Sequence, residues 1–311
     1  MKILEYDEVN PMSVYHVTML ALDFRLTPEH AAHIRRTDPR PFPCFTVNAV
    51  ENDRVLGQVG IFRLPMISTE GREDVGGVWA VSTHPQFSGR GIASRLLDEA
   101  HERMRQAGLR FSTLGTNRYR SAYRLYRQHG YEDMNVWGTA HACWDSAHLP
   151  TRISALRPDS DGFDQIDQIF ESIASDYLGF AWRPKPFTHL RDKVNLEEVR
   201  ILWLAEQPVG YAITHIKKDH LIINNLLLQP GIDAAEAVAA IIAEEKITYI
   251  QVTVERPDDI SNLKKAGYQI AQPNWDAFMI KPLFPDVTAN NARSLFGIGT
   301  DRFLISWLDT T

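Results

Sequence analysis

The chain has 311 residues, 44% of them hydrophobic and 23% charged, which at roughly 100–200 residues per domain predicts two globular units, each able to bury its own core. A formal net charge of -6 and a sequence pI near 6.0 argue against nucleic-acid binding, which draws on a basic surplus. Cys44 and Cys143 form no CxxC pair and read as free, partly buried thiols of a reducing compartment, while the absence of an apolar leader or of any window near ~18 apolar residues argues against secretion and against a membrane span. The expected location is the cytoplasm.

Lys2 to Tyr6 reads as a short strand. Asn10-Pro11 opens a helix to about Phe24, with proline in its first turn, and Thr27-Pro28-Glu29 opens a second. A proline-rich loop, Asp38 to Pro43, precedes two strands, Phe45 to Val50 and Val55 to Arg63, joined by the hairpin signal Glu51-Asn52-Asp53. A strand from Val75 to Thr83 stops at Pro85. From about Gly89 to Gln106 the apolar residues Ile92, Ala93, Leu96, Leu97, Ala100 and Met104 recur at helical spacing, opposite Arg95, Asp98, Glu99, Glu102 and Arg103. Phe111 to Leu114 is a strand, Ser121 to Gln128 a helix, and Tyr131 to Ala142 a final strand region.

The pattern breaks near Asp145 to Pro150 and restarts. Strands are expected at Ile153 to Leu156, Val199 to Ala205, Val209 to Ile216, Leu221 to Leu228 and Thr248 to Val254. Helices are expected at Asp164 to Tyr177, Asp233 to Glu245 and Ile260 to Ala266. Phe278 to Leu283 reads as a closing strand. This order repeats that of the first half, and Tyr126-Arg127-Gln128-His129-Gly130-Tyr131 aligns with Leu263-Lys264-Lys265-Ala266-Gly267-Tyr268. An internal duplication follows, with units at 1–148 and 149–311.

The chemistry lies in Val81-Ser82-Thr83-His84-Pro85-Gln86-Phe87-Ser88-Gly89-Arg90-Gly91-Ile92-Ala93. A strand feeds a turn, and glycines open an amphipathic helix. First-turn N–H groups have no intrahelical partner, the helix dipole places positive charge there, and glycine lets backbone approach a ligand, which together suit a pyrophosphate. This stretch resembles the GCN5-related N-acetyltransferase (GNAT) superfamily, whose signature Gln/Arg-x-x-Gly-x-Gly/Ala follows the fourth strand. Gln86, Gly89 and Gly91 match it. Ala122-Tyr123-Arg124-Leu125-Tyr126-Arg127-Gln128-His129-Gly130-Tyr131 is similar to the family's Ala-x-x-Leu-Tyr-x-x-x-Gly-Phe, with Tyr for Phe.

The resemblance implies an α/β (α+β) fold of two tandem GNAT-like domains, each a mixed, largely antiparallel twisted sheet flanked by helices and splayed between its fourth and fifth strands. It implies acetyl-coenzyme A as cosubstrate, with pantetheine beside Val81 and Thr83 and the pyrophosphate cradled by Gln86, Gly89, Arg90, Gly91, Ile92 and Ala93. It makes Tyr126 the acid that protonates the leaving thiolate; packing in the core is its plainer role. The acceptor expected is a small-molecule or peptide amine, attacked directly on the thioester. The alternative is a non-catalytic acyl-coenzyme A sensor or scaffold. Of Arg118, Arg120, Arg124 and Arg127, one would hold a coenzyme phosphate, against the reading of a solvated face.

The sequence departs from the family in two places. The fourth strand, Val75 to Val81, carries no carboxylate, which leaves Glu73, Asp74, His84 or solvent as base. The second half reads Gln229-Pro230-Gly231-Ile232-Asp233, without Gly-x-Gly and with Leu263 for the tyrosine, and is expected to be a degenerate repeat with an acceptor-site or structural role. The layout is similar to that of mycothiol synthase-like enzymes, although there the intact half is the second. Thr83-x-Pro85 and the Trp79 strand resemble the enhanced-intracellular-survival type of aminoglycoside acetyltransferases, where the terminal carboxylate reaches the active site. That implication falls on Thr311 or Asp309; the plainer reading has Phe303 to Leu308 complete the second sheet. Trp182, Trp203, Trp275 and Trp307 line an acceptor pocket or pack in the core. The eleven histidines show no metal spacing, so no metal is expected.

Overall fold

The computed structural model describes residues 1–143, 151–159, 161–185, 188–243 and 247–310. In chain order the elements are β1 (Lys2–Glu5), α1 (Pro11–Leu22), α2 (Pro28–Thr37), β2 (Pro41–Glu51), β3 (Arg54–Ser68), β4 (Gly71–Thr83), α3 (Ile92–Gln106), β5 (Phe111–Asn117), α4 (Ser121–Gln128), β6 (Glu132–Asp133) and β7 (Gly138–Cys143). There follow β8 (Ile153–Leu156), α5 (Gly162–Ala174), β9 (Leu178–Gly179), α6 (Thr188–Lys193), β10 (Val199–Leu204), β11 (Gln207–Lys217), β12 (His220–Leu228), α7 (Ala234–Ile242), β13 (Tyr249–Val254), α8 (Pro257–Lys265), β14 (Gln269–Ala271), β15 (Asp276–Pro282), α9 (Ala289–Phe296) and β16 (Phe303–Leu304).

Two open sheets result, mixed and mostly antiparallel. One runs β1-β2-β3-β4-β5-β15-β6, with β9 attached to β3 and β16 to β9; the other runs β14-β7-β13-β12-β11-β10-β8. The sheets exchange strands. β7 leaves the first half to lie between β13 and β14, and β15 leaves the second half to lie between β5 and β6. Phe278 to Leu283 therefore closes the first sheet rather than the second, and Tyr131 to Ala142 divides into strands of two sheets. The proposed boundary at 148/149 lies outside the described residues.

Both faces of the first sheet are covered. Side chains alternate across a strand: Ala277 and Met279 of β15 join the core under α3 and α4, whereas Phe278 and Ile280 join the core with α1 and α9. Four consecutive residues, Ala277 to Ile280, are 0% exposed, the mark of a central strand. The tail also belongs here: Phe303 and Leu304 pair with Leu178 and Gly179, and Gly179 pairs with Ile67 of β3. The terminal segment thus completes the first sheet, correcting the expectation for the second. β3 and β4 form one long hairpin pairing down to Ser68↔Gly71. The hairpin extends past the expected ends at Arg63 and Val75, through the charged residues Arg72, Glu73 and Asp74. α3 starts at Ile92, because Gly89 and Gly91 stand at φ 78° and 69°, outside helical space. Cys44 is buried and Cys143 exposed, both unbridged.

Burying Phe278, Met279 and Ile280 contributes about 5–9 kcal/mol at roughly 1.5–3 kcal/mol each, comparable to the ~5–15 kcal/mol by which whole domains are stable. A fragment of residues 1–148, lacking β15, is expected not to fold alone. Co-expression with 149–311 restores it. A cooperative thermal transition of the isolated fragment, followed by circular dichroism, is the contrary result.

Candidate active site

The site begins where β4 and β5 part. These parallel strands share only the pairs Gly76↔Ser112 and Gly77↔Thr113. Beyond them Val78 to Thr83 stays paired with β3 as far as Gly57↔Thr83, and its other edge faces an opening. A Cβ on Gly76 would lie 2.3 Å from Sδ of Met104 on α3, so a side chain here would displace the methionine.

β4 is bulged just past the parting. Register passes from Gly60↔Trp79 to Gln58↔Ser82, so Ala80 and Val81 together oppose Val59. Ala80 stands at φ 47°, a strained setting for a residue with a Cβ. Its carbonyl accepts from Gln58 Nε2 at 3.0 Å. Trp79 stacks on Phe62 with centroids 5.1 Å apart and meets Phe45 and Phe24 at 5.2 and 6.2 Å. Gly60 leaves room for the indole, because a Cβ there would lie 2.2 Å from it.

At the strand's end comes the turn that leads into α3. His84 Nδ1 accepts from the Gln86 amide at 3.2 Å, and its Nε2 stands 2.6 Å from an Arg54 nitrogen. Burial, then Arg54, hold the imidazole below its usual pKa, so it stays neutral and fixes the turn. Gly91 caps α3 with no side-chain hydrogen bond, so no side chain of the cap covers the first-turn N–H groups. Gln86, Gly89, Arg90 and Gly91 are exposed, Val81, Thr83 and Ala93 half-buried, and the side chain of Ile92 buried. Arg90 lies 3.4 Å from Glu51 and over the Phe87 ring. The fold therefore brings the predicted strand and loop residues to one continuous edge.

The equivalent corner of the second half differs in charge. β12 and β13 also run parallel and part after Ile223↔Val252, and a bulge follows at Asn224. There, however, Asp233 caps α7 and accepts from the Ala235 and Glu236 amides at 2.7 and 3.4 Å. A carboxylate of the chain already occupies that helix end.

Tyr126 is 7% exposed and packs edge-on against Tyr131 at 5.9 Å. Burial pushes its phenol up to about 12, so it remains protonated at neutral pH. Arg118 is committed elsewhere: it grips Asp133 at 2.7 and 2.8 Å and donates to the carbonyls of Asn274 and Asp276. Arg120, Arg124 and Arg127 are exposed.

The carboxylates named as bases stand apart from the bulge. Glu73 is bound by Arg110 through two 2.7 Å contacts. It lies seven residues before Ala80, about 23 Å along a strand at ~3.3 Å per residue. Asp74 is 3.9 Å from Arg63. Asp309 is buried against Arg183 at 2.8 Å, and Thr311 lies outside the described residues.

Two cavities open here. One, of about 530 Å³, is walled by Phe24, Phe62, Trp79, Ala80, Arg120 and Trp307. The other, of about 600 Å³, includes Asn117, Arg120, Asn225, Glu255, Asp276 and Trp307. Arg120 and Trp307 border both. Of the four tryptophans expected near a pocket, Trp307 is the one on these walls. Trp79, Trp137, Asn225, Glu255 and Asp276 were not foreseen, since only the strand exchange gathers them. Elsewhere Asp98, His101 and His129 bring one potential ligand atom each within 4.8 Å of one another, a grouping invisible in linear spacing. Lys281 donates to the His129 carbonyl beside it.

No helix among the described residues is long and apolar enough to cross a membrane. Residues 14–134 match the family described as acetyltransferase (GNAT) domain. No curated protein matches the sequence. Among solved structures, a conserved protein of unknown function from Enterococcus faecalis V583 superposes with TM-score 0.68 at 16% identity, over 91% of this chain and 72% of that one. A GCN5-related N-acetyltransferase from Kribbella flavida gives 0.65 at 17%, over 91% and 72%. Eis1 from Mycobacterium abscessus gives 0.61 at 14%, over 91% and 74%. At such identities the structures speak for the fold, and the sequence match speaks for the chemistry. Residues 14–134 thus carry an acetyltransferase (GNAT) domain, and the chain is an acyltransferase.

Proposed function

We propose that the protein moves an acetyl group from acetyl-coenzyme A to a primary amine by direct attack. The observation that carries this reading is the parted β4 edge, which leads from the Ala80 bulge to a helix start without a side-chain cap at Gly91. Pantetheine amides would pair with backbone of Val81 and Thr83. The pyrophosphate would rest on Gly89, Arg90, Gly91, Ile92 and Ala93, with Gln86 at the entrance. The thioester would then lie by the bulge, where the aromatic cavity opens.

There the amine lone pair attacks the carbonyl carbon, the C–N bond forms and the C–S bond breaks. The neutral Tyr126 phenol donates to the departing sulfur. The ammonium proton leaves through the cavity; no carboxylate of β4 stands beside the bulge to take it.

The chain should bind one acetyl-coenzyme A, because Asp233 fills the second helix end. Calorimetry is expected to give one site per chain, and Gly91→Glu to abolish it by blocking backbone approach and adding negative charge. Two equal sites would contradict the assignment.

Tyr126→Phe is expected to lower kcat by about 10²–10⁴-fold and leave acetyl-coenzyme A affinity nearly unchanged, as read by thiol release with an amine panel. Undiminished turnover would make Tyr126 a packing residue. Binding without thiol release, for every amine in the wild-type protein, would indicate a sensor.

A further inference from the structure

The larger cavity lies where the two sheets trade strands. Asn117 is on β5 beyond its parting from β4, and Asn225 and Glu255 are beyond the parting of β12 and β13. Trp137 precedes β7, and Asp276 opens β15. The cleft that the first half opens toward its helix start is, in the second half, closed at that end by Asp233. Its strands instead present polar side chains to the shared space.

Two observations point to a ligand on this wall. Asn225 borders the cavity and is 5% exposed, and its Oδ1, closed off from solvent, has no hydrogen-bond partner. A buried carbonyl oxygen without a partner is costly to the fold. The wall also holds two carboxyl groups, Glu255 and Asp276, and both are pushed above their usual pKa, first of all by burial. All three groups are acceptors when the carboxyls ionise, and Trp137 and Trp307 supply ring surface beside them. Donors on a cation complement this set.

We propose that this cavity holds the far end of the acceptor and selects a diamine, whose second ammonium is received by Asn225, Glu255 and Asp276 while the first reacts at the Ala80 bulge. The assignment rests on the acetyltransfer reading above. Arg120 and Trp307 border both cavities.

Charge gives the proposal a second readout. The Glu255 carboxyl stands at about 8, raised by burial and by Asp259 and Asp309 and lowered by Arg256; Arg120 and Asp276 border the same space. It is therefore largely protonated at pH 7. An alkylammonium, with a pKa near ~10.4 like lysine, favours the ionised carboxylate. Binding then expels a proton below pH 8. Affinity rises with pH up to about 8 and levels off above it.

The test uses the full chain with acetyl-coenzyme A and compares 1,4-diaminobutane with n-butylamine. In the wild type kcat/KM is expected to favour the diamine by about tenfold or more. Glu255→Gln and Asn225→Ala should each cut that preference by a similar factor through the amine KM, with the acetyl-coenzyme A KM unaltered. Calorimetry of the diamine at pH 7, in buffers of different ionisation enthalpy, should show proton release in the wild type and none in Glu255→Gln. Equal preference in wild type and variants, or diamine binding without proton release, overturns the proposal. If no amine is acetylated, the acetyltransfer reading fails, and the calorimetric arm still decides whether the cavity takes the diamine.

Discussion

The site depends on a strand that arrives from far along the chain. β5 leaves β4 after two paired residues, and Leu114 to Asn117 would otherwise have unpartnered backbone on both sides. β15 prevents that: it pairs with β5 along its whole length, from Asp276↔Asn117 to Pro282↔Phe111. A polar backbone inside a protein needs its hydrogen bonds, so β5 can swing away from β4 only because β15 satisfies its other edge. Arg118 reinforces the joint by gripping Asp133 of β6 and the carbonyls at the start of β15. The opening between β4 and β5 is thus held by both halves of the chain.

The two halves share a design and differ by one charge. Each has parallel strands that part, a bulge beyond the parting, and a helix that starts at the end of the antiparallel-paired strand. In the first the helix cap is Gly91, at φ 69° and without a side-chain bond; in the second it is Asp233, with its carboxylate on two amides. An N-cap carboxylate is stabilising by about 1 kcal/mol, but it fills the place an external anion would take. α7 gained a better-capped helix, buried along its whole length, and its half could turn its cleft toward the shared cavity.

The region around the Ala80 bulge is aromatic rather than carboxylate-rich. Trp79 is locked among Phe24, Phe45 and Phe62 and over Gly60, and its Nε1 is buried with no partner. Acidic groups lie further out, at Asp276 and Glu255. The buried Arg183–Asp309 pair, extended to Tyr211, fastens the terminal segment so that Trp307 borders both cavities.

The sequence by itself determined the edge that leads from β4 into α3. Gln86, Gly89, Gly91 and the amphipathic run from Ile92 to Met104 are contiguous, so their meaning is local: a strand, a turn that needs positive φ, and a helix start. Tyr126 was legible for the same reason. The acidic start of the corresponding helix in the second half was also readable, from Asp233. Only the tertiary structure decided the rest. Phe278 to Leu283 reads as a strand in any sheet, because alternation fixes that it is buried and not which neighbours bury it. The exchange of β7 and β15 and the committed Asp309 join residues more than a hundred positions apart, and the committed Glu73 and the meeting of Asn225, Glu255, Asp276 and Trp307 join residues tens of positions apart. Contacts at that separation leave no periodicity in the chain, and packing alone selects among them.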